Sequence, residues 1–409
     1  MRKLFQLLRR WVSRIAIGLF LSQLLTALVL GIFAELRKHR RTQQEFPHEP
    51  ASTVTADRDE LTIYTFGEDL YADMIEAIDQ AKHTIYFGTY IWKADEVGQR
   101  FKDALTRAAK RGVSVYVVFD GFGNFLVSRR FLRFDPLIHT MRHPTLPVPW
   151  SPRHWGRDHR KLLVVDHEVG FIGGFNISSD YAKYWRDTHA RVVGPSVAEL
   201  ENAYADFWNQ WRKRRLPQLG PSSPRLWFNR LRVVRNAPRV QVYPIRNMYL
   251  EAINRAQERI WLTHAYFIPD EDLVAALAEA AKRGVDVRVI VPQRSNHVVA
   301  DWLSRGFYTS LLRQGIRLFL YRDAMVHAKT ATIDGVWATI GTANLDRLSL
   351  AGNYEVNLEI LNETVSKELE DIFTFDLANA EEVTLPEWLQ RSLLTKATEA
   401  LLSPLRPLF

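Results

Sequence analysis

The pattern H-x-K-x4-D occurs twice in this chain, as His159-Arg160-Lys161-Leu162-Leu163-Val164-Val165-Asp166 and as His327-Ala328-Lys329-Thr330-Ala331-Thr332-Ile333-Asp334, 168 residues apart. The agreement continues downstream at the same offset: Gly173 aligns with Gly341, Gly174 with Thr342, Asn176 with Asn344 and Asp187 with Glu355. One match to so short a pattern carries little weight, whereas two with a shared tail mark an internal duplication. The duplication also reaches upstream. Glu76-Ala77-Ile78 recurs as Glu251-Ala252-Ile253 at offset 175, and residues 108–113 recur identically as 280–285 at offset 172, a drift that small loop insertions explain. A chain built in this way folds as two copies of one unit.

The local pattern of each copy is α/β. An apolar-periodic helix ends at a glycine cap, Gly112 or Gly284, and runs into a β-branched strand over 113–119 or 285–291, with a further strand-like run at 84–92 or 260–268. Between the copies, 216–240 carries Pro217, Pro221, Ser222, Ser223, Pro224 and Pro238 and reads as a linker. The expected organisation is an N-terminal segment 1–44, a first lobe 45–215, the linker, a second lobe 241–385 and an amphipathic tail 386–409.

Ile15 to Ala34 is an uncharged apolar run of 20 residues, enough to cross about 30 Å of hydrocarbon. It reads as a transmembrane helix. A cleaved signal peptide is the competing reading, but the apolar region is long and Ile32 and Ala34 make a poor cleavage site. Basic clusters flank both ends, Arg2, Lys3, Arg9, Arg10 and Arg14 on one side and Arg37, Lys38, Arg40 and Arg41 on the other, so charge leaves the orientation undecided. The net charge of +8 and the pI near 9.5 favour polyanionic partners, either nucleic acid or anionic lipid. The absence of cysteine excludes disulfides, thiolate zinc sites and a cysteine nucleophile.

A repeated His and Lys set points to chemistry on a phosphodiester. His159 and His327 offer a nucleophile and an acid–base group, while Lys161 and Lys329 supply fixed positive charge for non-bridging oxygens. Asn176 and Asn344 would add neutral donors. Each histidine is followed 28 residues later by a carboxylate, Asp187 or Glu355, suited to accept the Nδ1 proton and leave Nε2 free. Asp166 and Asp334 complete the motif; strand alternation turns them to the face opposite His and Lys, which favours tying down backbone over catalysis. Such a set calls for no metal and no other cofactor. The spacing of Asp158, His159, His167 and His189 matches no common zinc pattern.

With these residues the chain resembles the phospholipase D superfamily over about 66–377, and within it the bacterial cardiolipin synthases. The likeness rests on His159-Arg160-Lys161, on Phe171-Ile172-Gly173-Gly174-Phe175-Asn176, on Ile340-Gly341-Thr342-Ala343-Asn344-Leu345-Asp346 and on the N-terminal apolar run. It implies two homologous α/β lobes, each a mixed β-sheet flanked by helices, packed pseudo-symmetrically around one active site. It also implies phosphatidylglycerol and an anionic phospholipid membrane as partners, no nucleic acid, and transfer through a phosphatidyl-histidine on His159. The bacterial cytoplasmic membrane, with the lobes toward the cytoplasm, is the location it suggests. The resemblance implies a phosphate cradle at Gly174 and Thr342, and two departures stand out: Thr342 replaces the glycine found at position 174, which makes that cradle asymmetric, and one anchor stands where many relatives carry two.

Rival readings use the same residues. A phospholipid hydrolase would differ only in letting water replace the alcohol, and a nucleic-acid phosphodiesterase would suit the charge but not the apolar run. The residues leave the oligomeric state open. Arg153, His154, Arg157 and Arg160 read either as headgroup contacts or as a solvated basic loop. The proline-rich stretch from Phe131 to Trp150 reads as an acyl-chain entrance or as an ordinary long loop. Tyr90 and Tyr266 lie on matching strands, as core or at the site, and a helix over 388–402 with Leu393, Leu394, Ala397 and Leu401 on one stripe serves either a membrane surface or lobe packing.

Overall fold

The computed structural model describes residues 2–38, 45–144, 156–220 and 230–408. It opens with α1 (Arg2–Lys38), longer than the apolar run because the basic flanks are also helical. Its stretch Trp11–Ile32 is long and apolar enough to cross a membrane by length and composition.

The first lobe runs β1 (Ser52–Ala56), β2 (Asp59–Tyr64), α2 (Gly67–Gln80), β3 (Thr84–Thr89), α3 (Glu96–Lys110), β4 (Ser114–Asp120), β5 (His139–His143), β6 (Leu162–Val165), β7 (Val169–Gly173), α4 (Ser179–Lys183), β8 (Trp185–Arg186), β9 (His189–Val193) and α5 (Val197–Trp211). The second runs β10 (Leu231–Arg235), α6 (Pro244–Arg255), β11 (Arg259–His264), α7 (Glu271–Lys282), β12 (Asp286–Pro292), α8 (Val298–Arg313), β13 (Arg317–Tyr321), β14 (Met325–Val326), β15 (Lys329–Ile333), β16 (Trp337–Gly341), α9 (Arg347–Ala351), β17 (Val356–Leu361), α10 (Glu363–Ala378) and β18 (Ala380–Val383). Two helices, α11 (Leu385–Leu389) and α12 (Leu393–Leu402), follow.

The sheets have orders β1-β2-β9-β7-β6-β3-β4-β5 and β10-β17-β16-β15-β11-β12-β13-β18, so the segment from β2 to β5 in the first repeats as β10 to β13 in the second. In each, three strands are parallel and the rest antiparallel, a mixed sheet. The parallel pairs β3–β4 and β11–β12 are joined by α3 and α7, the crossover that parallel strands require. Asp95 caps α3 by accepting from Gly98 N at 2.9 Å, and Asp270 caps α7 by accepting from Leu273 N at 3.0 Å. Both helices end where Gly112 and Gly284 take φ of +95° and +93°, as their sequences predict.

The outer face of the first sheet buries Leu70, Phe101, Leu105, Leu163 and Val165 beneath α2 and α3, and the second sheet repeats this with α6 and α7. The inner faces meet in one shared cluster that joins Leu162, Val164 and Ile172 to Ala338, Ile340 and Leu358. This apolar seam makes the lobes one body and brings the ends of β7 and β16 together.

Three details differ from the sequence reading. The strand run starts at Leu162, so His159 and Lys161 lie on extended chain just before β6. The connector over 216–240 contains β10, the edge strand of the second sheet; Pro221, Ser222, Ser223 and Pro224 lie outside the described residues. On α12 the predicted stripe is not the packed face: Leu402 is buried, while Leu393 and Leu394 are 84% and 78% exposed.

Candidate active site

Each motif histidine is placed by backbone from the other lobe. Asp158 forms a bridge with Tyr354, and His159 N donates to Tyr354 O at 3.0 Å. At the equivalent place β14 pairs in parallel with β8, and His327 N donates to Arg186 O at 2.6 Å. The residues that follow Tyr354 and Arg186 are Glu355 and Asp187, so each lobe delivers its acid to its partner's histidine.

The pairing is therefore crossed. His159 Nδ1 lies 3.0 Å from Glu355 Oε2, across 196 residues of chain, and His327 Nδ1 lies 2.5 Å from Asp187 Oδ2, across 140. The expectation that each acid serves the histidine 28 residues before it in its own lobe is corrected. The cause is the reciprocal backbone pairing at the seam, which a reading along one copy does not show. A carboxylate at Nδ1 favours a proton on that nitrogen, which would leave the Nε2 lone pair outward.

Gly174 and Thr342, expected around a phosphate, instead hold the two acids. A Cβ on Gly174 would sit 2.0 Å from Asp187 Oδ1, so only glycine admits that carboxylate. Thr342 Oγ1 donates to Glu355 Oε2 at 2.5 Å, and Thr342 O lies 3.1 Å from His159 Nδ1. The departure at position 342 is thus a different way of seating the partner acid. Asn176 is also redirected: its Oδ1 accepts from Ile91 N at 3.0 Å and its Nδ2 donates to Tyr181 Oη at 2.8 Å, which fixes β3's extension. Asn344 is buried with its Oδ1 unpartnered by protein.

Asp166 and Asp334 lie away from the histidines and bind backbone. Each sits at positive φ, 52° and 54°, in the tight turn after β6 or β15, and Gly335 follows at 67°. Asp166 accepts from Lys82, His83 and Thr84 N at 2.7–2.8 Å, and Asp334 from Gln257, Glu258 and Arg259 N at 2.8–2.9 Å. Burial works to raise the Asp166 carboxyl, but its three backbone donors win and hold it below the usual carboxylate range. They pin the start of β3 and β11 at the end of the sheet away from the histidines. The signal was in the sequence: Asp334-Gly335 between strands is a hairpin-turn pair.

Both lysines are buried. Lys161 Nζ donates to His159 O at 2.6 Å, and Lys329 Nζ donates to His327 O and lies 2.8 Å from His327 Nδ1. Burial pushes Lys161 down to about 7 and Lys329 down to about 8. Burial and then the two lysines hold both imidazoles well below the ordinary histidine value. Burial pushes Glu355 up to about 8 and raises Asp187. Burial thus favours the neutral form of each of these groups, and a bound anion would hold both lysines charged.

Aromatic rings wall the pair. Tyr90 lies edge-on to His159 at 4.8 Å and Tyr266 to His327 at 6.4 Å, so of the two readings left open, core or site, both tyrosines take the site. Tyr181 and Trp185, which sequence reasoning missed, each lie 5.3 Å from His327. Also missed was Arg186, fully buried, whose Nε donates to Asp376 Oδ1 at 3.0 Å and whose Nη1 donates to Asp187 O at 2.9 Å. Nothing local in sequence marks these contacts.

Of the basic entrance residues, Arg160 is a core residue, paired with Asp158 at 2.7 Å and stacked 3.7 Å over Phe207. Arg157 lies beside Tyr90; Arg153 and His154 fall outside the described residues, as do Pro147, Pro149 and Trp150. Asp158, His167 and His189 go separate ways: His167 pairs with Glu201, and His189 is buried beside Gly173. Among the described residues no three such side chains gather to hold a metal.

Known proteins share this architecture. The family described as "Cardiolipin synthase, PLD-like domain" matches residues 74–211 and 249–377. A cardiolipin synthase of Clostridium perfringens is 32% identical over 87% of this chain and 78% of its own length. The major cardiolipin synthase ClsA of Bacillus subtilis is 32% identical over 86% of this chain and 76% of its own. A crystal structure of phosphatidylserine synthase from Haemophilus influenzae has a TM-score of 0.65 over 90% of this chain and 96% of that one, at 16% identity, which shows the shared fold. With that family covering both lobes and relatives 32% identical over most of their length, the chain belongs to the cardiolipin synthase family of phospholipase D-like phosphatidyltransferases.

Proposed function

We propose that the chain transfers a phosphatidyl group from one phosphatidylglycerol to the terminal hydroxyl of a second, producing cardiolipin and free glycerol. The observation that carries this is the exchange of acids between lobes, His159 to Glu355 and His327 to Asp187, which makes two His and Lys sets one site for one phosphodiester. The names of the relatives support the choice of lipid.

Burial and the two lysines favour the neutral form of both imidazoles. The entering phosphodiester anion offsets Lys161 and Lys329 and lets His327 hold a proton. His159 Nε2 attacks phosphorus, the bond to the glycerol oxygen breaks, and that oxygen takes the proton from His327 Nε2. His327 then removes the proton from the second lipid's hydroxyl. Its oxygen bonds to phosphorus as the phosphorus–nitrogen bond breaks, and His159 is restored. One phosphodiester replaces another, so no nucleotide is consumed. The helix α1 would anchor the chain in the bacterial cytoplasmic membrane, with the lobes on the cytoplasmic side.

The test is lipid mass analysis of the purified full chain in mixed micelles of phosphatidylglycerol without added metal, with glycerol assayed in parallel. Cardiolipin and glycerol in equal amounts are the expected products. Phosphatidic acid in place of cardiolipin would replace transfer by hydrolysis.

A further inference from the structure

We propose that the loop following β4, residues 121–137, seats the mouth of the active site on an anionic phospholipid bilayer. Its tip turns large apolar side chains outward: Leu126 is 94% exposed, Phe125 67%, and Phe122 and Leu137 are exposed as well. Arg129, Arg130 and Arg133 are exposed among them. Apolar tips rimmed by guanidinium groups suit the boundary between acyl chains and phosphate headgroups.

The base of this loop is tied to the chain that follows β3. Asn124 is buried; its Oδ1 accepts from Trp92 N at 2.7 Å, and its Nδ2 donates to Tyr90 O at 2.8 Å and Asp120 O at 2.7 Å. Asp120 Oδ1 accepts from Phe122 N and Gly123 N at 2.7 and 2.8 Å. Tyr90 in turn lies against His159. Arg157 bridges the two parts, its guanidinium 3.7 Å over the Phe122 ring and beside the Tyr90 hydroxyl. The exposed tip therefore projects from a frame bonded to the wall of the site.

The other lobe independently indicates the same side. After β12, the counterpart of β4, comes α8, and α1 packs on it: Leu30 joins Ala300, Leu303 and Tyr266, the residue facing His327. The helix long enough to cross a bilayer and the apolar loop thus flank the two tyrosines of one site. A lipid entering between them would stay in contact with the membrane until its phosphate reached the histidines. This deepens the lipid-substrate reading and rests on it for its purpose.

The chain contains no cysteine, so Leu126→Cys creates a single labelling position on a side chain that packs against almost nothing. The full chain carrying an environment-sensitive dye there is reconstituted in vesicles of equal parts phosphatidylglycerol and phosphatidylcholine. The dye is expected to shift to the blue and to be quenched by nitroxide-labelled lipid, whereas the same dye at Lys110→Cys, at the far end of the sheet, stays in water. Arg130→Ala should lower the inserted fraction about fivefold. A water-like spectrum at position 126 overturns the proposal. So does a shift that follows protein concentration instead of anionic lipid, which would bury the loop in a second copy. The optical signal needs no turnover: an inserted loop in a chain that makes no cardiolipin upholds the docking and sinks the catalytic reading, while an active chain with the dye in water does the reverse.

Discussion

The two halves of the site share one pattern, yet His159 and His327 occupy different surroundings. The His159 side chain is 13% exposed, with Glu355 at 3.0 Å and Thr342 holding that acid. The His327 side chain is 4% exposed, with Asp187 at 2.5 Å and the rings of Tyr181 and Trp185 around it. Beneath His327 the buried Arg186–Asp376 ion pair braces Asp187's backbone; the place of Arg186 is taken in the other half by Tyr354. A duplicated sequence has become an unequal pair. The more open, loosely held imidazole suits attack on phosphorus, and the enclosed, tightly held one suits proton transfer.

The largest effects test that division of labour. His159→Ala and His327→Ala should each lower turnover by about 10⁵-fold. With a phosphatidyl donor whose nitrophenol leaving group needs no proton, His327→Ala should still form a covalent lipid adduct on His159, read by peptide mass analysis. An adduct on His327 would reverse the comparison.

Next come the crossed acids. Asp187→Asn and Glu355→Gln should each cost about 10³-fold in kcat by inverting the imidazole's proton arrangement. Asp187→Asn should displace the Nδ1–H resonance of His327, and Glu355→Gln that of His159; a response from the histidine of the same lobe would break the crossing.

The brace under one half is a stability effect. Asp376→Ala leaves Arg186 buried and unpaired and should cost about 3 kcal/mol in urea unfolding. Where the halves are alike, the costs should be equal. Asp166→Ala and Asp334→Ala each strip an acceptor from three backbone donors, about 2 kcal/mol apiece, with kcat per folded molecule unchanged.

The smallest effect concerns pH. A lysine must keep its proton to neutralise the incoming phosphate, so kcat/KM for the free protein should fall as pH rises through the values near 7 and 8 to which burial pushes Lys161 and Lys329. Lys329→Arg should remove the upper of these limbs and leave the lower, because arginine keeps its charge. An unchanged profile would place the limb elsewhere.

Much of the fold was legible before the structure. The repeated helix, glycine and strand pattern predicts α3–β4 and α7–β12, because periodicity and the glycine cap are properties of consecutive residues. That Asp166 and Asp334 turn away from the histidines was legible from strand alternation, but the backbone they hold, at 82–84 and 257–259, lies 75–84 residues away along the chain and gave no signal. The roles given to Gly174, Thr342 and Asn176 were not legible either, since a glycine that admits a carboxylate and one that cradles a phosphate look identical along the chain. Tyr181, Trp185 and the Arg186–Asp376 pair gave no signal, because their importance comes from what packs beside them.

By itself the sequence determined the two lobes, the reactive side chains and their duplication, since each follows from short-range pattern and residue type. Only the tertiary structure decided which acid serves which histidine and which histidine is enclosed. The physical reason is the seam: burying the inner faces of both sheets against each other pairs the backbone before each histidine with the backbone before the opposite acid, across 140 and 196 residues.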